Sequence, residues 1–511
     1  MGDVMLSKVK SFALNGLNGF LVDVEVDVSN GLPAFDMVGL PDTAVKEAKE
    51  RVRSAIKNSG KRFPTTRITV NLAPADVKKQ GAYLDLPIAL GIINATMPEL
   101  KMDISNYVFI GELSLDGSLR EVDGILPLLI SAKASGYTKF IIPYDNKQEA
   151  GYIEGIEVYA LKSLIETVEL LTGEREFQAV TPLTYSANNT VKENDVDLCY
   201  VKGQAFAKRA IEVAVAGGHN VLFVGPPGAG KSMLAKCIPT IMPDLSFEEA
   251  LETTKIHSVA GVLKGEDGIV TKRPFMTPHH TASRVAIVGG GQNAQPGVIS
   301  LAHNGVLYLD EMPEYPRSVL ESLRQPLEDR VITVTRTKAS VEYPASFMLC
   351  ASMNPCPCGN YGSKNAECKC TYSQIQKYRS RISGPLLDRI DLQITVDGVE
   401  YGELASTSKE ESSKEVKRRV DLARKIQRER FKDETINVNA EMNEKHLKKY
   451  CELTAECESI IKTAFTSLNL SARARSRIIK VARTIADLEL SQQIMPNHVL
   501  EAVGYRSNFN L

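Results

Sequence analysis

The chain has 511 residues, enough for about three domains at roughly 100–200 residues each. Its 61 basic and 62 acidic residues leave a net charge of −1, which excludes a uniformly cationic nucleic-acid binder but not a local basic groove. At 43% hydrophobic and 24% charged it has the composition of a folded globular protein, and this excludes global disorder.

Residues 1–172 alternate strand and helix signals, which reads as an α/β or α+β domain. Apolar and polar side chains alternate over 20–28, the pattern of a half-buried strand. Over 42–59, Ala44, Val45, Ala48, Val52 and Ile56 fall at helical spacing, and Gly60 closes that helix. A strand at 67–72, an apolar helix at 84–95 and buried strands at 107–110 and 140–142 follow. Lys78 and Lys79 are either phosphate contacts or a solvated charge pair. Residues 173–197 turn polar and aperiodic and read as a linker, the alternative being a surface loop of one larger domain. Residues 198–400 alternate in the βαβ manner. After Gly398 the chain is charged and helical, with helices expected over 408–432, 454–467, 471–488 and 496–503. These form a C-terminal helical domain over 401–511. No run approaches the ~18 apolar residues of a membrane helix, and residues 1–20 lack the continuous apolar core of a secretory leader. A cytoplasmic protein without a membrane partner is expected.

The strongest motif is Gly225, Pro226, Pro227, Gly228, Ala229, Gly230, Lys231 and Ser232, a full G-x-x-x-x-G-K-[ST] pattern. An apolar strand precedes it at 220–224, and a helix beginning Ser232-Met233 follows. Glycines let backbone N–H groups turn toward phosphate oxygens, and the helix N-terminus adds positive potential. Lys231 is expected on the β- and γ-phosphates of ATP and Ser232 on Mg²⁺. About 80 residues on, the apolar run 305–309 delivers Asp310 and Glu311. Asp310 is expected in the Mg²⁺ shell and Glu311 as the base that polarises the attacking water. A further apolar strand ends at Asn354, placed to orient that water. Arg389 precedes the strand 392–396 and can stabilise charge on the transferred phosphoryl group, or pair with Asp388 or Asp391. If Arg389 acts on a neighbour's nucleotide, the protein must oligomerise.

These residues together resemble an AAA+ ATPase, and nearly the whole chain is similar to the magnesium-chelatase-like ComM/YifB family. The carriers are the 225–232 motif, Pro278-His279-His280-Thr281, Gly289-Gly290-Gly291, Pro296-Gly297 and Leu309-Asp310-Glu311. To these add Asn354-Pro355-Cys356-Pro357-Cys358-Gly359 and the runs 383–391 and 481–487. The resemblance implies a P-loop AAA+ α/β domain with a C-terminal helical lid, assembled as a hexameric ring. It makes Asn354 the sensor 1 residue, Arg389 the arginine finger and Arg473 the sensor 2 arginine of the lid, with Arg477 a second candidate. It also implies a DNA helicase that promotes branch migration during DNA uptake and recombination. Residues 1–172 resemble a Lon-protease-like (ribosomal S5 domain 2-like) α+β domain through 109–120 and 136–143. By that resemblance the serine position falls at Ala82-Tyr83-Leu84-Asp85 and the lysine position near Leu128, so the serine–lysine dyad of a protease is missing.

Nine cysteines make an odd number, and Cys356, Cys358, Cys368 and Cys370 form two C-x-C pairs. In a reducing compartment such a cluster points to metal or redox chemistry. Four thiolates suit structural Zn²⁺, with reduced thiols or an iron–sulfur cluster as the alternatives. Residues 330–343 alternate like a hairpin with Arg336 and Lys338 at its tip, where two cations per subunit around a ring would track single-stranded or branched DNA; the alternative is a solvated edge hairpin. A second candidate pore loop spans 277–295. Its adjacent His279 and His280 would splay apart in an extended chain, which disfavours a metal role. The competing function is a chelatase-type motor subunit that drives metal insertion with partner subunits.

Overall fold

A computed structural model describes residues 5–79, 81–187, 196–263, 268–291, 294–335, 340–362, 366–398, 410–468 and 471–507. Its first sheet begins with the hairpin β1 (Met5–Asn15) and β2 (Asn18–Ser29), followed by β3 (Ala34–Val38). Helix α1 (Thr43–Asn58) begins where the Asp42 side chain accepts from the Val45 N–H, and Gly60 follows its end at φ +68°. Then come β4 (Arg67–Ala73), α2 (Asp85–Thr96), β5 (Val108–Phe109), α3 (Ile125–Ala134), β6 (Lys139–Pro143), β7 (Glu157–Leu161) and α4 (Leu164–Thr172). The sheet order is β3-β4-β2-β1-β5-β6-β7. Alternation in β2 buries Val22, Val24 and Val26 beneath α2 and α3.

At 83–85 the chain fills its interior: Tyr83, Leu84 and Asp85 are buried. Asp85 is fully buried and takes two bonds from Arg51, Nε to Oδ2 at 2.7 Å and Nη2 to Oδ1 at 3.0 Å. Burial pushes its carboxyl up to about 6, against the pull of Arg51. The Tyr83 hydroxyl accepts from the Leu14 N–H at 3.2 Å. Lys79 corrects one expectation. It is fully buried, and its ammonium has no partner among the described residues. Burial holds that ammonium below its ordinary value, so Lys79 is neither solvated nor placed to meet a phosphate.

The second sheet is parallel throughout. Helix α5 (Ala205–Gly217) leads into β8 (Val221–Val224), α6 (Lys231–Ile241), α7 (Phe247–Val259), β9 (Phe275–Met276) and β10 (Val306–Leu309). A hairpin of β11 (Val331–Thr335) and β12 (Ser340–Pro344) precedes β13 (Met348–Met353) and β14 (Leu392–Thr395). The order is β9-β10-β13-β8-β14. Val221 and Phe223 of β8 enter one apolar layer, Leu222 and Val224 the other, so the sheet is covered on both faces. Switch points flank β8, and crevices at the carboxyl ends of strands there receive ligands in such sheets.

Among the described residues five α-helices follow: α8 (Ser413–Arg430), α9 (Glu444–Tyr450), α10 (Ala455–Ser467), α11 (Ala472–Leu488) and α12 (Pro496–Ser507). Side chains of Ser412, Asn443, Thr454 and Ser471 cap the first four. Val416 and Val420 of α8 and Ile478 and Ile485 of α11 join the same apolar cluster as Ile211 of α5 and Phe223 of β8. These helices therefore share one core with the second sheet. The first sheet's layer meets α7 through Gly124 N–H to Ser258 O at 3.0 Å and Ser258 Oγ to Glu149 Oε2 at 2.6 Å. Among the described residues no helix is long and apolar enough to cross a membrane.

Candidate functional site

The carboxyl end of β8 opens directly into the glycine-rich loop. Gly228 and Gly230 have φ of +78° and +85°, which L side chains rarely adopt, and a Cβ on either would meet nothing within 4 Å. An open cradle of N–H groups results, ending on the first turn of α6. Met233 in that turn is 39% exposed, at the rim. The Lys231 ammonium donates to Gly225 O at 2.6 Å, Pro226 O at 2.9 Å and Asn354 Oδ1 at 3.1 Å. Burial lowers its proton affinity, while Asp310 and Glu311 nearby raise it. All three acceptors are oxygens, a coordination that phosphate oxygens can substitute.

Ser232 Oγ donates to Asp310 Oδ2 at 3.1 Å, which joins the end of the loop to the end of β10. Ser352 Oγ donates to the other Asp310 oxygen, which also accepts the Glu311 N–H at 3.1 Å. Burial works against the Asp310 charge, but Ser352, Tyr308, Ser232 and the Glu311 N–H together hold its carboxyl below the usual range. An ionised carboxylate beside a hydroxyl at the mouth of a phosphate cradle is the hard-oxygen donor set that Mg²⁺ favours. Glu311 is exposed and adopts φ +51°, a strained conformation for a residue with a side chain, which directs it out of the strand line. Lys231, Ser232, Asp310, Glu311 and Asn354 thus converge at one edge of the sheet.

Arg389 and Arg473 are not at that edge. Arg389 is 4% exposed, donates to Pro385 O at 2.7 Å and pairs with Glu328 at 2.6 Å, rather than with Asp388 or Asp391. Its backbone carbonyl accepts from Asn220, the residue before β8, at 3.0 Å. Arg473, Arg477 and Glu328 line a cleft of about 860 Å³ that also includes Asn220 and Asp391. The cleft lies at the amino end of β8, whereas Lys231 lies beyond its carboxyl end. Four other cations of α11 are satisfied within the chain: Arg475 by Glu458, Arg477 by Asp391, Lys480 by Ala440 O and Arg483 by Asp487.

Arg336 and Lys338 lie outside the described residues; β11 and β12, which precede and follow them in the chain, pair antiparallel. His279 and His280 do not splay apart. A turn brings their rings to 4.2 Å between centroids, tilted by 32°. Cys356, Cys358, Cys368 and Cys370 bring their sulfurs within 4.8 Å of one another, a set able to hold a metal ion. N–H groups of Asn360 and Lys369 bond to Cys358 and pull its thiol below the ordinary value. Sequence reasoning missed Tyr308 and Ser352. Its only signal was a hydroxyl inside an otherwise apolar strand.

The five-stranded parallel sheet with its loop is an AAA+ α/β core. Residues 197–404 match the family described as "Magnesium chelatase, subunit ChlI", residues 24–146 "Subunit ChlI of Mg-chelatase", and residues 410–506 "Magnesium chelatase, subunit ChlI C-terminal". Competence protein ComM of Haemophilus influenzae is 43% identical over 511 residues, covering 99% of this chain and 98% of its own. The chain belongs to the ComM/YifB family. YifB of Escherichia coli is likewise 43% identical, over 98% of this chain and 97% of its own. Lon protease 2 of Bacillus subtilis is 29% identical over 180 residues, 32% of each chain. Membership of this magnesium-chelatase-like group makes the chain an AAA+ motor protein, and such motors use ATP and Mg²⁺.

Proposed function

We propose that the chain is a ring-forming ATPase that moves along DNA as a helicase or branch-migration translocase. Residues 1–172 are then a Lon-like domain without its dyad, 173–197 a linker, 198–400 the ATPase domain and 401–511 a helical lid. The observation that carries this reading is the convergence of Lys231, Ser232, Asp310, Glu311 and Asn354 on one sheet edge. The N–H groups of 228–232 cradle the phosphates, and Lys231 exchanges carbonyl oxygens for β- and γ-phosphate oxygens. Ser232 and Asp310 would hold Mg²⁺, which would supply charge neutralisation on those oxygens. Glu311 takes a proton from the attacking water, and Asn354 orients that water.

Arg389 and Arg473, at the opposite edge, serve the nucleotide of an adjoining subunit. Each site is then shared across a boundary, which supports a homo-oligomer, with a hexamer as the family expectation. Repetition of Arg336 and Lys338 around a ring would create a phosphate-tracking funnel despite a net charge of −1. Competence is the process named in the Haemophilus relative, and we place this chain in DNA uptake or recombination. The four cysteines supply thiolates for one Zn²⁺. The chelatase reading draws on the same family descriptions and requires partner subunits. ATPase rates with single-stranded, duplex and branched DNA decide between them. Stimulation by DNA is expected; basal turnover unmoved by any DNA would overturn the translocase reading.

A further inference from the structure

The cysteine loop touches the nucleotide machinery at two places. Cys356 is fully buried and stands two residues after Asn354, whose Oδ1 accepts from Lys231. Gly359 lies against the P-loop itself: at φ +83°, a Cβ there would sit 2.5 Å from Cδ of Pro227. Between these contacts, the Tyr361 N–H donates to Cys356 Sγ at 3.3 Å. Arg379 donates to Pro355 O at 3.2 Å and lies over the Tyr361 ring at 5.3 Å. The loop is one wall of the phosphate cradle.

Apolar burial cannot hold that wall in place. Among the described residues of 357–370, Gly359 alone is buried. The sulfur geometry shows what can hold it. Cys356 and Cys358 are 3.4 Å apart, and Cys368 is 3.7 Å from each. A bonded disulfide would require about 2.0 Å. Ligands about 2.3 Å from a central zinc-class ion form a tetrahedron with edges of about 3.8 Å. The two spacings to Cys368 match that figure, the 3.4 Å spacing is slightly shorter, and Cys370 completes the set with all four sulfurs within 4.8 Å of one another. A small loop without a core gains its order from such a staple.

We propose that Cys356, Cys358, Cys368 and Cys370, closed on one tetrahedral zinc-class ion, lock Gly359 against Pro227 and hold Asn354 in register, so that ion occupancy sets the rate of nucleotide turnover. The proposal rests on the ATPase reading above. Cys356 anchors the strand end that carries Asn354, and Gly359 confines the backbone that carries Gly225 and Pro226, two of the carbonyls around Lys231. Without the ion both supports relax. Turnover falls because the water-orienting amide drifts, and nucleotide binding weakens because the cradle loses a wall.

The test uses the full chain. Elemental analysis should find about one zinc per chain, and Cys368→Ser should lose it. In that variant kcat should fall by about tenfold or more, and a fluorescent ATP analogue should bind more weakly. Chelated wild-type protein should behave in the same way and recover when Zn²⁺ alone is returned. Gly359→Ala separates contact from metal: it should keep its zinc yet lose turnover, because the added carbon pushes the loop off Pro227. Zinc bound in wild type, with both variants turning over at the wild-type rate, would overturn the coupling and leave the ATPase reading intact. Full turnover in wild type without bound metal would overturn the ion site. A zinc-loaded wild-type chain inert toward ATP would overturn the ATPase reading and this inference with it.

Discussion

Glu311 occupies a left-handed conformation at φ +51°, a strain of about 1–3 kcal/mol for a residue with a Cβ. Bonds from its N–H to Asp310 and Ser352 hold it there, at 3.1 and 3.2 Å. The strain has a use: the carboxylate points outward while the N–H helps keep its neighbour ionised. Glu311→Gln preserves shape and donors but removes the base. It should bind ATP normally and hydrolyse it about 10²-fold or more slowly, read in a single-turnover assay. Normal hydrolysis would reassign the base. Lys231→Ala should instead lose nucleotide binding, because the cation that the cradle carbonyls hold is gone; titration with a fluorescent ATP analogue reads this. These residues were legible in the sequence because motif spacing fixes them. Tyr308 and Ser352 were not, because a hydroxyl within a buried strand looks like core until its partner, Asp310, is known.

At the scale of elements, the boundary between the first sheet's layer and α7 carries a buried acid. Glu149 is 6% exposed and accepts from Ser258 of α7 and from Asn146. Burial raises its carboxyl from 4.5 to about 7; Ser258 and Asn146 oppose the shift, and Glu121 and Asp123 add to it. His257, beside Ser258, is turned to Leu301 O instead. The folded state therefore takes up a proton that the unfolded chain does not hold between about pH 7 and pH 4.5, and stability gained on acidification is lost again as pH rises through 7. Glu149→Gln should stabilise the protein at pH 8 by up to about 3 kcal/mol and flatten the dependence. Thermal melts of both proteins from pH 5 to 8 read the difference. For the β11–β12 hairpin, Arg336→Ala with Lys338→Ala should weaken DNA binding and flatten its salt dependence while sparing basal ATPase. Unchanged affinity would remove the hairpin from the DNA path. Most elements could be read in advance, since alternation marks β2 and helical spacing marks α1. The close approach of His279 and His280 could not, because a turn stands where their sequence suggests extended chain. Nor could the burial of Lys79, whose backbone pairs with Leu40 and Asp42, far away in sequence.

At the scale of the molecule, the sheet separates Lys231 from Arg389. Lys231 follows the carboxyl end of β8, and Arg389 is bonded to Asn220 at its amino end. Four strand residues span roughly 13 Å, too far for a guanidinium pinned by Glu328 and Pro385 to reach its own cradle. On the proposed reading, one chain holds the phosphate cradle at one edge and Arg389 at the other, and a second copy would bring the two together. Arg389→Ala should bind ATP yet hydrolyse it about 10³-fold more slowly, with a melting temperature measured alongside to exclude unfolding. Mixed with an excess of Lys231→Ala chains, which are inert alone but carry Arg389, it should regain part of its activity. In a mixed assembly, an intact cradle from one variant faces an intact arginine from the other. Recovery requires both variants and should rise with protein concentration as rings form. Absence of recovery in assemblies shown by mass measurement to be mixed would place Arg389 outside the neighbour's site and leave the ring without its catalytic rationale.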